Sequence, residues 1–441
     1  MIRTRSKATV RASLVALTVV AMAGLASCTR SQPAAPLPSQ VVLLGLDAGT
    51  WDLLDPWIAE GRLPNLARLR DNGAHAVLRS IEPSSSPVIW TSIATGKTPQ
   101  QHGITWFVRF PDGPGKPAPV NRNMRKARAF WNILTDAAVD MAIVGWFVTW
   151  PAEAVSGRLV SDVAHWGAIS QESFPEGFLY TLPPVGEAEA VATLPRFMDV
   201  PYDPAVAARR GNDPAEREQF LIYDRFIRAY RRDLFYVRAA REILADGPPP
   251  ELLAVYLRGT DDVQHGFWKY MDPAPFGDVP EEKVRALGRV IAEYWTWIDE
   301  QVGLMLAAYE RPPLVIVVSD HGAGPAVGDF AIESSNYLHL SGAHRDNGIL
   351  IVSGPGTARG QIAEASIYDV APTLLHALGH PVAEDMAGRV LTEAFAAPEP
   401  VRTVATYEPQ AVADPEPSTE SEASPADGQI LDHLRSLGYI E

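Results

Sequence analysis

Three observations predict an α/β fold whose mostly parallel central sheet is covered by helices on both faces and carries a helical cap insertion. Apolar runs of four to seven residues recur along the chain, longer helical stretches separate them, and several of the runs stop at an acidic residue. Strand, helix and strand in alternation is the pattern of a parallel sheet. Continuous rather than alternating apolarity is what burial on both faces demands. With 46% hydrophobic and 21% charged residues in 441, the chain can bury a large core and is not disordered overall.

The elements follow in order. Residues 1–28, MIRTRSKATVRASLVALTVVAMAGLASC, set Arg3, Arg5, Lys7 and Arg11 ahead of an apolar run from Leu14 to Leu25 and a small-residue cleavage site. That is the layout of an export signal, and the run is shorter than the ~20 residues a spanning helix needs. Cys28 is the only cysteine, so the monomer has no disulfide. The tetrapeptide LASC resembles the lipobox of bacterial lipoproteins, which implies lipidation of the Cys28 thiol. The expected location is then the bacterial cell envelope, with the membrane as partner through the lipid and the catalytic domain outside the cytoplasm. Residues 29–39, rich in proline and serine, read as a tether.

A main domain is expected over residues 40–396. VVLLGLD, residues 41–47, is its first buried strand, and helical turns follow, with Pro64 restarting a helix and Gly73 ending it. MAIVGW, ELLAVYLRGTD, PPLVIVVSD and GILIVSGPG supply further strands. Residues 165–250 break the rhythm and read as a cap insertion, loop-rich and then helical. In its helix Phe220, Tyr223, Phe226, Ile227, Tyr230 and Leu234 recur at three- and four-residue steps, a stripe that belongs to packing. A helix is expected to begin near Asp369. Residues 397–428, rich in Pro, Glu, Ala and Ser, are expected to be disordered, and residues 429–441 close the chain as a short amphipathic helix. The formal charge of −15 is spread without a basic patch, which argues against a nucleic-acid polymer as partner.

Metal-capable residues gather where strands end: Asp47, Asp261 with His265 in GTDDVQHGFW, Asp320 with His321 in VVSDHGAG, and His344 in GAHRDNG. In a parallel sheet the carboxyl ends of the strands open into the crevice where ligands bind. Carboxylate with neutral imidazole suits zinc or manganese before calcium, and six donors exceed one tetrahedral zinc, so two divalent ions are expected. PSSSPVIWTSIATGKTPQQHG, residues 83–103, adds hydroxyls at the start of a helix, a favourable seat for phosphate. Capping of that helix by Ser84, Ser85 or Ser86 is the alternative use of the same serines.

The order Asp, hydroxyl, Asp-x-x-x-His, Asp-His, His resembles the alkaline phosphatase superfamily, and within it the type I phosphodiesterase and nucleotide pyrophosphatase branch. GLDAGTWDLLDPWIAEGRLPNLARL, SPVIWTSIATGKTPQQHGI, GTDDVQHGFWKYMD, SDHG and GAHRDNGILIVSGPG carry it across residues 40–390. The resemblance implies an alkaline phosphatase-like sheet with two metals, usually zinc. Asp261, His265 and His344 match the ligands of one; Asp47, Asp320 and His321, with the nucleophile, match those of the other. The branch has its nucleophile nine residues before the Thr of a TG pair, which here, counting from Thr95, is Ser86 rather than Thr91. It also has a phosphate-binding Asn twenty-one residues after the nucleophile, where this chain has Phe107. The implied activity is metal-dependent hydrolysis of small phosphate esters, diesters first, through a phosphoseryl intermediate. A phosphotransferase or phosphomonoesterase on the same site is the alternative, and a non-catalytic envelope protein a third reading. A sulfatase is disfavoured, because C/S-x-P-x-R ends here in Ile89.

Overall fold

Seven strands make the body of the sheet: β1 (Val41–Leu46), β2 (Ala74–Arg79), β3 (Met141–Val144), β4 (Gly157–Val160), β5 (Leu252–Leu257), β6 (Leu314–Val318) and β9 (Asn347–Ser353). Between β6 and β9 lies a two-stranded hairpin, β7 (Gly322–Pro325) with β8 (Gly342–Arg345). Across the sheet the order is β2-β9-β6-β1-β5-β3-β4, and short edge strands bring the total to ten. This is a mixed, mostly parallel sheet flanked by helices. The computed structural model describes residues 40–82, 84–110, 117–167, 171–209, 213–328, 340–409 and 427–437. By contacts the chain divides into Met1–Ala34, wholly outside that set, and Ala35–Glu441, to which everything below belongs. The expected signal, Cys28 and tether therefore lie outside the described residues.

The strands are oily on both faces because both faces are covered. Val42, Leu44 and Leu46 of β1 join one core, whereas Val41 and Leu43 join the other. The first core is roofed by α1 (Trp51–Ala59), α2 (Pro64–Asn72), and, after α3 (Ser86–Thr95), by α4 (Arg228–Ala245), α5 (Gly259–Met271) and α6 (Val290–Leu306). The second is closed by α3 and by α7 (Val370–Ala377). The capping stripe expected from the sequence packs as such: Phe226 and Tyr230 stack and meet Phe197, Tyr294 and Trp297.

The sheet is mostly parallel, as expected, and two of its features were not marked in the sequence. Strand β9 runs antiparallel to β6 and to β2, so its amino end, not its carboxyl end, shares an edge with the carboxyl ends of β1, β5 and β6. And β2 fills a place the apolar pattern did not mark. Its burial alternates, with Val77 45% exposed, because its outer face is open.

Of the segment 397–428 expected to be disordered, residues 397–409 are held against the body, and 410–426 lie outside the described residues. Thr403–Val404 pairs in parallel with Val382–Ala383, and the Glu408 carboxylate accepts the Arg128 amide, so the chain stays attached to the body through that point. Helix α8 (Asp427–Leu437) returns to the body, where Leu434 packs with Phe107 and Val108.

Candidate metal centre

The sheet register places the first carboxylates side by side. Gly45 of β1 lies opposite Val318 of β6 and Tyr256 of β5, so two residues further on Asp47 faces Asp320 across the gap where the strands stop. Ala48 then takes a left-handed backbone, φ 58, which turns the chain sharply off the sheet. Its N–H donates to Asp320 Oδ1 at 3.4 Å, and its carbonyl accepts from Gln264 Nε2 at 3.1 Å. Helix α5 begins directly after β5, with Asp233 Oδ2 accepting the Gly259 N–H at 2.8 Å, and carries Asp261 and His265 one turn apart. The reversed β9 puts His344, on β8, at the same edge. Strand β2 runs antiparallel to β9 and delivers Ser84–Ser86 there too.

Six expected ligands converge. Asp47, Asp320 and His321 each offer a donor atom within 4.8 Å of the others. Asp261 Oδ1 lies 3.2 Å from His265 Nε2 and 3.4 Å from His344 Nε2, and those two nitrogens are 3.0 Å apart. His321 also stands close enough to group with Asp261 and His344, its ring stacked on His344 at 3.8 Å. The two sets are thus contiguous.

The decisive feature is how the other atom of each ligand is used. His265 Nδ1 meets the Gly342 carbonyl at 2.7 Å, His344 Nδ1 the Ser84 carbonyl at 2.9 Å and His321 Nδ1 the Gly322 carbonyl at 3.0 Å. Each Nδ1–H therefore donates to backbone, which leaves each Nε2 lone pair facing inward, the second-sphere arrangement of metal-bound imidazole. Asp47 Oδ2 accepts from the Tyr256 hydroxyl and from Trp90 Nε1 at 3.3 Å. Asp47 Oδ1, Asp320 Oδ2, His321 Nε2 and Ser86 Oγ are buried with no hydrogen-bond partner among the described residues. Buried acceptors left bare side by side are costly unless a cation joins them, so the donor set fits divalent metal.

Electrostatics agree. Burial, and then the Asp47 carboxylate, push Asp320 well above the usual carboxylate range. Burial would also raise Asp261, but the His265 and His344 imidazoles hold it well below. Tyr256 is pushed far up by burial and by Asp47, so it stays a neutral donor.

Close backbone approach is built in at two glycines. A Cβ on Gly45 would sit 2.7 Å from the Trp90 ring, whose Nε1 donates to Asp47. A Cβ on Gly342 would come within 2.3 Å of the Gln264 carbonyl, where β8 touches α5 and meets His265.

A family model described as type I phosphodiesterase / nucleotide pyrophosphatase matches residues 41–412. The chain belongs to that family. That places it among the phosphoric ester hydrolases. No curated protein sequence matches it. Among solved structures, the wild-type alkaline phosphatase PafA is 13% identical, with 82% of this chain and 100% of that one covered at a TM-score of 0.53. BT1596, a 2-O GAG sulfatase, is 13% identical over 83% of this chain and 76% of its own, at 0.50. These likenesses establish an alkaline phosphatase-like fold. A phosphonoacetate hydrolase from Sinorhizobium meliloti 1021 is 20% identical with a TM-score of 0.40; 67% of this chain is covered, and it spans only 59% of that protein.

Within the family member's site, Ser86 opens α3, 1% exposed. Thr91 is spent inside the helix, its hydroxyl donating to the Pro87 carbonyl at 2.6 Å. Phe107, in place of the family's Asn, is buried beside Val108. The sequence reading missed the partners that orient the ligands. Tyr256 and Trp90 were hidden in apolar runs, where a single polar atom at the end of a large ring leaves no trace in periodicity. It missed a group of arginines as well. Arg225, Arg228 and Arg232 recur at three- and four-residue steps, a signal overshadowed by the aromatic stripe interleaved with it.

Proposed function

We propose that this chain hydrolyses phosphodiesters through a phosphoseryl intermediate on Ser86, at a centre holding two divalent cations, zinc before manganese. Asp47, Asp320, His321 and Ser86 hold one cation, and Asp261, His265 and His344 the other. The observation that carries the reading is the convergence of inward-facing donor atoms: Asp47 Oδ1, Asp320 Oδ2, His321 Nε2 and Ser86 Oγ are bare among the described residues, and each histidine's Nδ1 is already used on a backbone carbonyl. When bound, the cations supply a lowered serine pKa and neutralise charge on the phosphoryl and leaving oxygens. Ser86 Oγ gives up its proton, bonds to phosphorus, and the ester P–O bond to the alcohol breaks. A water molecule then forms the new P–O bond, and Ser86 leaves as a reprotonated hydroxyl. The start of α3 presents backbone N–H groups and its dipole toward the phosphoryl oxygens. Positioning and charge stabilisation of this kind are what phosphoryl transfer asks of a protein.

A diester is favoured over a monoester because Phe107, buried and beside Pro87 on the wall of the adjoining cavity, offers apolar surface to an organic arm. The same reading places the enzyme on the bacterial envelope, lipid-anchored at Cys28, on the strength of the LASC tetrapeptide. The test is a comparison of zinc-loaded enzyme on a nitrophenyl phosphodiester, the matching monoester, a phosphonate ester and a sulfate ester. The diester is expected to have the highest kcat/KM. A monoester preference of about tenfold or more, about 1.4 kcal/mol in transition-state binding, overturns the diester assignment.

A further inference from the structure

Beside the metal centre lies a cavity of about 150 Å³, of which the proposed function uses only the apolar wall at Phe107. It shares its wall with the site. Pro87 follows the nucleophile, the Tyr256 hydroxyl binds Asp47, and Asp262 follows the ligand Asp261. On the far side Ile430 and Leu434 of α8 close it.

Four arginines line this space: Arg228, Arg231, Arg232 and Arg258. Most of the charge is answered locally. Arg228 pairs with Asp224 at 3.0 Å, and Arg232 with Asp262 at 2.6 Å. Asp162, the remaining acid on the wall, turns its carboxylate to the amides of Val148 at 2.9 Å and Trp150 at 3.1 Å. Arg231 donates its Nε to the Val185 carbonyl at 2.7 Å and has no ion pair among the described residues. Arg258 is the exception. It is 9% exposed, its Nε is buried without a partner, and its side chain makes no hydrogen bond or ion pair among the described residues. Its guanidinium carbon lies over the Phe147 ring at 5.4 Å, a cation–π contact that uses none of its N–H donors.

A buried guanidinium with idle donors is costly to keep unless a ligand completes it. Arg258 caps the helix that carries Asp261 and His265, so an anion bound by it would sit within one small molecule's reach of the reacting phosphorus. We infer that this cavity is a second-anion subsite: the organic arm of the substrate bears its own carboxylate, sulfonate or phosphate, which Arg258 and Arg231 bind while the ester phosphorus lies over Ser86. The inference deepens the phosphodiesterase reading and rests on it for the placement of the phosphorus. The substrate class is then phosphodiesters with an anionic arm rather than neutral-armed ones.

Two measurements test this, one of them independent of turnover. The first compares two nitrophenyl phosphodiesters whose alkyl arms differ only in ending in a carboxylate or in its methyl ester. Wild type is expected to favour the carboxylate arm in kcat/KM by about tenfold or more. In Arg258→Gln that ratio falls to about one, and in Arg258→Lys, which keeps the charge, it stays above one. Equal ratios in wild type and Arg258→Gln overturn the proposal, as does an equal loss on both substrates, which would put Arg258 on the reacting phosphoryl group. The second titrates 1-propanesulfonate, a poor metal ligand, into the metal-loaded full chain by calorimetry. Binding about tenfold weaker or lost in Arg258→Gln is expected, and no binding to wild type, or equal binding to both, overturns the subsite. If neither diester is turned over while sulfonate binding depends on Arg258, the hydrolytic reading fails and the subsite stands.

Discussion

Replacing Asp320 by Asn should stabilise the metal-free protein while weakening its response to metal. Asp47 and Asp320 offer donor oxygens within 4.8 Å of each other in a fully buried site. Two unit charges at that separation repel by about 3.5 kcal/mol with an effective dielectric constant of ~20. The metal-free protein escapes this by keeping a proton on Asp320, whose carboxyl is pushed well above its ordinary value by burial and by Asp47. A carboxyl whose folded pKa lies above its unfolded value favours the folded state at acid pH. That contribution is lost as pH rises from about 4 through the folded pKa. Metal-free wild type should therefore melt at progressively lower temperature toward alkaline pH. Asn keeps an oxygen for the Ala48 amide and presents an N–H to Asp47, so the repulsion vanishes at every pH. At an unfolding entropy of ~2.1 cal/mol/K per residue across the main domain, about 3.5 kcal/mol corresponds to about 4–5 °C. The assay is differential scanning fluorimetry in chelator from pH 5 to 9, repeated with zinc. The variant should exceed wild type by about that margin at pH 9, converge with it at pH 5, and gain less from zinc. A variant that melts below wild type at pH 9, or a wild-type profile flat in pH, would refute the electrostatic account of the site.

Other outcomes follow from the same geometry. Ser86→Ala should abolish turnover while metal content by mass spectrometry stays at the wild-type level, whereas Thr91→Ala, which removes only the bond to the Pro87 carbonyl, should act as a packing lesion. Tyr256→Phe strips the hydroxyl donor from Asp47 Oδ2, so metal affinity by competition with a chelating dye should fall about 10–100-fold with the fold intact. Gly45→Ala forces a Cβ against the Trp90 ring and should cost about 1–3 kcal/mol, read as a lowered melting temperature. Cys28→Ala should move the protein from the membrane to the soluble fraction, and identical partition of variant and wild type would end the lipoprotein assignment.

The candidate ligand set was legible because its chemistry sits at punctuation. A buried strand needs uninterrupted apolar residues, so Asp47 and Asp320 stand out as the residues that stop one. The direction of a strand leaves no such mark. GILIVS reads the same whichever way it runs, and only its antiparallel pairing with AHAVLR of the missed strand β2 and with β6 explains why His344 precedes its strand while the other candidate ligands follow theirs. β2 itself was missed because Val77 and Arg79 face outward, which broke the continuous run that marked its neighbours.

The arginines show a different limit. Counting charges over the whole chain gives −15, and a net sum says nothing about which charges the fold withdraws from water together. Asp224 of the cap and Asp262 of α5 pair with Arg228 and Arg232, so the acidic excess lies elsewhere on the chain, while Arg258, whose charge Asp262 and Asp261 favour from a distance, has no ion pair among the described residues and faces the cavity. An enzyme with an acidic balance can therefore still gather an anionic substrate, provided the attraction is local and dry. In that setting one buried guanidinium with free N–H donors, at an effective dielectric constant of ~20, outweighs many solvent-screened carboxylates beyond a Debye length of ~8–10 Å. The consequence is measurable: raising ionic strength should weaken encounter with the carboxylate-armed diester only modestly, because the charge that selects it is buried rather than spread over the surface.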